Sequence, residues 1–248
     1  MKNKQVTSAV IIIGNEILSG RTKDLNINFL ANSLVDIGID LAEVRIVKDI
    51  ENDIIFALNE LRVKYDFIFT CGGIGPTHDD ITSASIAKAL GIEIERNQEA
   101  ENLLINYYSK DKLNDARLKM ADIPVGAILL DNPVSSAPGY KISNIFVFAG
   151  VPRIMQAMFE AAKEYLITGD KVYTKSISAY VTEGDIAKEL SDLQSRYAEV
   201  EMGSYPFIRN ERLGTSLVFR SSNTAKLNDS HEIMLKILKD NKIEIDAC

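Results

Sequence analysis

Apolar positions along the first two thirds of the chain fall into two alternating rhythms. Short β-branched or aromatic runs predict buried strands at Ser8–Ile13 (SAVIII, ended by Gly14), Leu41–Val47 and Phe67–Cys71. Between them the apolar residues recur at helical spacing. Ile27, Leu30, Ala31, Leu34 and Val35 share one face of a helix over Asn26–Val35, with Gly38 at its exit. Ile54, Ile55, Leu58 and Leu61 do the same within Asn52–Tyr65, and Ile81–Leu90 is a helix ending at Gly91. Strand and helix alternate with short connections, which predicts a mostly parallel sheet covered by helices on both faces. The pattern continues with a helix over Asn97–Tyr108 and a strand over Ala127–Leu130. Two short strands follow in Tyr140–Phe148 around a Ser143–Asn144 turn, then a helix over Val151–Ile167 with Pro152 in its first turn.

The order changes after Ile167–Lys171 (ITGDK). A strand (Val172–Tyr180), a helix (Glu183–Arg196), two strands (Glu199–Tyr205 and Thr215–Arg220) and a helix (Thr224–Asn241) make a small βαββα unit with a core of its own. The expected organisation is α/β throughout, with domains at 1–170 and 171–248.

Composition narrows the function classes. The 248 residues are 46% hydrophobic and 25% charged, values of a globular chain. Net charge is −7 with no long basic run, which argues against a general nucleic-acid surface. No stretch approaches the roughly 18 apolar residues of a membrane span, and the N-terminus lacks a signal-peptide core. A cytoplasmic protein is expected. Cys71 and Cys248 form no CxxC, and His78 and His231 are the chain's two histidines, so neither a disulfide framework nor a zinc cluster is expected.

The unusual chemistry sits where strands end. Ile11–Gly20 (IIIGNEILSG) and Thr70–Asp80 (TCGGIGPTHDD) each stop a strand with glycine and acid. In open α/β sheets ligands bind outside the carboxyl ends of the strands. If the first and third strands are neighbours, Asn15, Glu16, Asp79 and Asp80 face one crevice. Gly72, Gly73 and Gly75 let backbone approach a ligand, and their amides, with those opening the helix at Thr82, suit phosphate oxygens. Carboxylates beside a phosphate need a cation between them, so Glu16, Asp79 and Asp80 suggest hard oxygen ligands for Mg²⁺ or a similar ion.

Plainer readings compete. Glycines between strand and helix are commonly turn residues. Asp79 or Asp80 can cap the next helix, worth about 1 kcal/mol, and Glu16 can cap its own. Asn26, Asn28 and Asn32 read as solvated helix positions. His78 is a ligand, a base or a loop residue. GGIGPTH is neither a Walker A sequence nor GxGxxG. Asp131–Tyr140 (DNPVSSAPGY) and Phe148–Met155 (FAGVPRIM) add two more polar loops; Ser135 and Ser136, without a Ser-His-Asp pattern, are turn or ligand-contacting residues.

Together GNEILSG, the Asp24–Ala31 stretch, GGIGPTHDDIT, NPVSSAPG and AGVP resemble the N-terminal domain of the competence/damage-inducible CinA family, within the wider MoaB/Mog molybdopterin-binding fold. MGSYP, Met202–Pro206, is similar to the small KH-like domain that follows in that family and in eukaryotic FAD synthases. The resemblance implies a three-layer α/β domain plus a small α/β domain. It also implies hydrolysis of the pyrophosphate of ADP-ribose or FAD with a divalent metal (Mg, Mn or Co), and a homo-oligomer. By motif, Gly14, Asn15 and Glu16 would line the first loop; Gly72, Gly73, Gly75, Pro76 and Thr77 would contact phosphate or ribose. Asp79 and Asp80 would position metal and water, and Asn132, Ser136, Ala137, Pro138 and Gly139 would close the pocket. Many relatives carry proline where Ala149 stands. The nicotinamide-mononucleotide deamidase domain of full CinA is not expected. Molybdopterin binding or biosynthesis, and a non-catalytic nucleotide-binding module, are the competing functions; the expected partner is a small nucleotide or pterin phosphate.

Overall fold

The computed structural model describes residues 5–109 and 111–246, so Cys248 lies outside the described residues. It divides into two compact units, 1–169 and 170–248.

In the first unit the chain runs β1 (Val6–Ile13), α1 (Asn15–Leu18), α2 (Asn26–Asp36), β2 (Ile39–Val47), α3 (Glu51–Leu61), β3 (Phe67–Cys71) and α4 (Thr82–Leu90). It continues through β4 (Ile94–Arg96), α5 (Gln98–Tyr107), α6 (Asp115–Leu118), β5 (Asp122–Pro124), β6 (Ile128–Leu130), β7 (Gly139–Ile142), β8 (Ile145–Phe148) and α7 (Pro152–Ala162). A six-stranded sheet has the order β2-β1-β3-β8-β7-β6. Strands β2, β1, β3 and β8 are mutually parallel, and β7 runs against its neighbours β8 and β6. The sheet is mostly parallel, as its apolar runs predict.

Alternation along the strands sets the three layers. Val10, Ile12, Phe69 and Phe148 pack with Leu30 and Leu34 of α2 and Met155 and Phe159 of α7. Ala9, Ile11, Ile13, Ile68 and Val147 pack on the opposite face with Ile54 and Leu58 of α3 and Ile86 of α4. Phe69 is fully buried, with ring centroids of Phe146, Phe148 and Phe159 at 5.3, 6.0 and 6.0 Å. Each such side chain contributes about 1.5–3 kcal/mol by burial.

Strands β1 and β3 are adjacent, and the connections leaving them cover opposite faces, α2 on one and α4 on the other. A crevice forms where successive connections diverge in this way. The ribbon β4–β5 stands apart from the main sheet and was not expected from the pattern. Its three β4 residues are all exposed, so no alternation marks them.

The second unit contains β9 (Tyr173–Ala179), α8 (Glu183–Arg196), β10 (Glu201–Arg209), β11 (Arg212–Ser221) and α9 (Thr224–Asp240), the expected βαββα order. The sheet order is β10-β11-β9, over a core that includes Ile177, Leu217, Phe219, Ile186, Leu227 and Met234. The β10–β11 hairpin is longer than expected, with Asn210 and Glu211 turning it at φ 50° and 61°. Strand β10 is an edge strand: Pro206 has no N–H to offer outward, and the Met202 N–H donates to Gln194 Oε1 at 2.9 Å. Among the described residues no helix is long and apolar enough to cross a membrane.

Candidate functional site

The carboxyl ends of β1 and β3 open into a cleft of about 600 Å³. Two backbone positions make it possible. Gly72 has φ +109°, and a Cβ there would lie 2.1 Å from the Ile13 carbonyl oxygen. Gly73 has φ +68°, and its Cβ would lie 2.2 Å from Thr82 Oγ1. Only glycine allows the loop to pass this close to β1 while turning left-handed. Thr82 locks the turn: its hydroxyl donates to the Gly72 carbonyl at 2.8 Å and its N–H to the Gly73 carbonyl at 3.0 Å. The Gly72 N–H donates to the Phe148 carbonyl at 3.0 Å, tying the loop to β8.

Beyond the glycines the loop folds onto Thr77. Asp80 Oδ2 accepts from the Thr77 N–H at 2.7 Å and lies 2.5 Å from its hydroxyl, while Asp79 Oδ1 lies 2.6 Å from the same hydroxyl. A hydroxyl has one proton, so Thr77 satisfies one carboxylate at a time. The Thr77 hydrogen bond, chief among several influences, holds the Asp79 carboxyl below the ordinary carboxylate range. Lys119 Nζ donates to the Thr77 and Asp80 carbonyls, each at 2.9 Å, and so braces the turn from outside. Neither aspartate caps α4: its N-cap is Ile81, without a side-chain cap. Thr77 offers Asp80 an amide and a hydroxyl within its own turn, and that local bonding replaces capping.

On the β1 side Gly14 donates to the Val47 carbonyl at 3.2 Å, and the Asn15 N–H donates to Asp49 Oδ2 at 2.8 Å. The Glu16 carboxylate lies over Gly14, 2.7 Å from where a Cβ would stand. Asn26 is buried, not solvated as expected: its Nδ2 donates to the Gly150 carbonyl at 2.8 Å and clasps the turn before α7. Ala149 keeps the N–H a proline would lack and donates it to Met158 Sδ at 3.3 Å.

The structure brings Gly14, Glu16, Gly72, Gly73, Gly75, Pro76, Thr77, Asp79, Asp80 and Ala137 to this one cleft. Asn15, Thr82, Asn132, Ser136, Pro138 and Gly139 lie outside its lining. Thr82 is buried beneath the glycine loop. Asn132 is buried and spends its amide within its own loop, donating to Ser135 Oγ at 2.7 Å and the Ala137 carbonyl at 2.8 Å. Ser136 takes φ 56° there, and Pro138 and Gly139 are buried behind it. His78 is exposed and outside the lining. Thr22, Asp49, Tyr108 and Met120 line the cleft without any signal in the motifs. The three-carboxylate ligand set expected of Glu16, Asp79 and Asp80 is not assembled: among the described residues no three His, Cys, Asp or Glu side chains group to hold a metal. The aspartates close on Thr77 while Glu16 lies over Gly14.

A probable molybdopterin binding domain matches residues 9–176, and the FAD synthase middle domain matches residues 171–247. A protein of Pyrobaculum calidifontis is 35% identical over 211 residues, covering 81% of this chain and 80% of that one. A probable FAD synthase of Caenorhabditis briggsae is 27% identical over 258 residues, covering 94% of this chain; the chain spans 49% of that protein. The crystal structure of the protein CinA, of unknown function, from Thermoplasma acidophilum superposes with a TM-score of 0.61 at 33% identity. It covers 65% of this chain and 98% of its own. Fold and cleft define an α/β protein of the MoaB/Mog molybdopterin-binding type. The chain belongs to that family, in its CinA-like branch.

Proposed function

We propose that the cleft of the first unit binds a nucleotide diphosphate and hydrolyses it, with ADP-ribose, FAD or a related dinucleotide as substrate. The observation that carries this reading is the crowding of Asp79 and Asp80 about one Thr77 hydroxyl, beside bare glycine backbone at the ends of β1 and β3. The likeness of residues 171–247 to the FAD synthase middle domain supports a flavin or adenine dinucleotide.

The acidic pair fits a divalent cation, because its four oxygens exceed the two protons, amide and hydroxyl, that Thr77 supplies. Asp79 and Asp80 would hold the ion. A bound ion would supply charge neutralisation of the diphosphate and a lowered pKa for attacking water. The chain's own residues do the rest. The Gly73–Gly75 stretch offers backbone N–H groups to phosphate oxygens, Lys119 holds the aspartate turn in place, and Asn26 fixes the opposing Gly150 turn.

Purified protein is incubated with ADP-ribose, FAD and NADH plus Mg²⁺, Mn²⁺ or Co²⁺, and AMP is followed. Release that chelation abolishes and Asp79→Asn lowers by about 100-fold or more supports the proposal; release no greater than that of the variant ends it. The match to a probable molybdopterin binding domain favours a second reading, pterin-phosphate binding during cofactor assembly. Pterin fluorescence that copurifies with the protein distinguishes it.

A further inference from the structure

The excursion between β4 and β5 adds no strand to the main sheet, yet it supplies one wall of the cleft through Tyr108 and Met120. Neither side chain carries a positive charge to draw a phosphate. Tyr108 follows α5 and packs with Met120 and Ala137 around Leu104. The Arg117 guanidinium stands 4.5 Å from its ring centroid, and the Tyr107 ring meets it edge-on at 5.0 Å. Arg117 also donates to the Lys112 carbonyl and is not part of the cleft lining. The ring is therefore held by two residues outside the lining, Arg117 and Tyr107, while it lines the cleft itself. A ring serving only to fill a core would be closed off; Tyr108 is only partly buried. A flat aromatic surface beside a polarisable thioether matches the face of a planar heteroaromatic ring.

Resting on the diphosphate reading above, we infer that Tyr108, backed by Arg117 and flanked by Met120, is the specificity-determining residue that takes the ligand's heteroaromatic base. The glycine loop takes the phosphates.

The test measures binding to the full chain, with Mg²⁺ present, by calorimetry. ADP-ribose and FAD carry a base, and inorganic pyrophosphate does not. Tyr108→Ala is expected to weaken ADP-ribose and FAD about tenfold and leave pyrophosphate within about twofold, while Tyr108→Phe binds all three as the wild type does. Equal losses for all three ligands, or no loss, would overturn the inference. So would a wild-type protein that binds neither base-bearing ligand. If Tyr108→Ala unfolds, Tyr108→Leu reads the same ratio with the volume largely kept. The two proposals fail separately. Base-selective binding through Tyr108 without AMP release removes the hydrolase and leaves this inference. AMP release with an unchanged KM in Tyr108→Ala does the reverse.

Discussion

Gly72 carries the tightest backbone contact of the cleft, and its removal has a definite sign. A methyl group there would meet the Ile13 carbonyl oxygen at 2.1 Å, backbone against backbone, at φ +109°. Neither partner is a flexible side-chain end. Gly72→Ala is expected to lower stability by about 3 kcal/mol or more, read from the urea midpoint; a loss below about 1 kcal/mol would contradict the geometry. Glu43 offers a pH-dependent prediction away from the cleft. Hydrogen bonds from Lys64, Tyr65 and Arg45 bring its carboxyl from the ordinary 4.5 to about 2. A depressed folded pKa stabilises above the unfolded value and loses that contribution as pH falls. Wild type should therefore be more stable than Glu43→Gln at neutral pH, with the gap closing between about pH 4.5 and 2. A gap constant across that range would refute the assignment. At this scale the sequence was a partial guide. The residue types of the glycine loop announced their own role, because only φ > 0 and close approach require them. Asn132 and Thr82 look identical in sequence to ligand donors, and only the fold shows their polar atoms already bonded within the loop.

Among the elements, the strongly periodic ones were legible. Strands β1 and β3 and helices α2, α3, α4, α7, α8 and α9 declared themselves because each buries one stripe or two alternating faces. Short pieces held by polar contacts did not. Strand β4 pairs with β5 alone, beside the Arg96–Asp122 ion pair, and no apolar pattern encodes either. The same blindness hid Tyr108 and Met120, which a long excursion returns to the cleft. The hairpin β10–β11 was underestimated because Pro206 reads as a strand breaker, which an edge position tolerates. Its turn gives a prediction at this scale. Asn210 and Glu211 both adopt left-handed φ, a conformation that favours Asn-Gly. Glu211→Gly should stabilise the second unit by about 0.5–1 kcal/mol, the left-handed strain relieved less the entropy cost of glycine, seen as a rise in its thermal midpoint; a fall would show that the Glu211 side chain matters more than its backbone.

For the molecule as a whole, two separate cores imply two separate folding units. The first unit holds apolar clusters on both faces of its sheet, and the second is closed by Phe219, Leu217 and Met234. Residues 170–248 produced alone should show one cooperative thermal transition; a chain without one would make the second unit dependent on the first. The match of the same residues to the FAD synthase middle domain places this compact unit in other chains as well. Such reuse asks that a sheet margin stay unattractive to strangers. The proline at 206 and the glutamine at 194 act as that safeguard, one by lacking a proton to share and one by occupying a neighbour's. Replacing both, as Pro206→Val with Gln194→Ala, should turn a well-behaved protein into one whose sedimentation coefficient climbs with concentration.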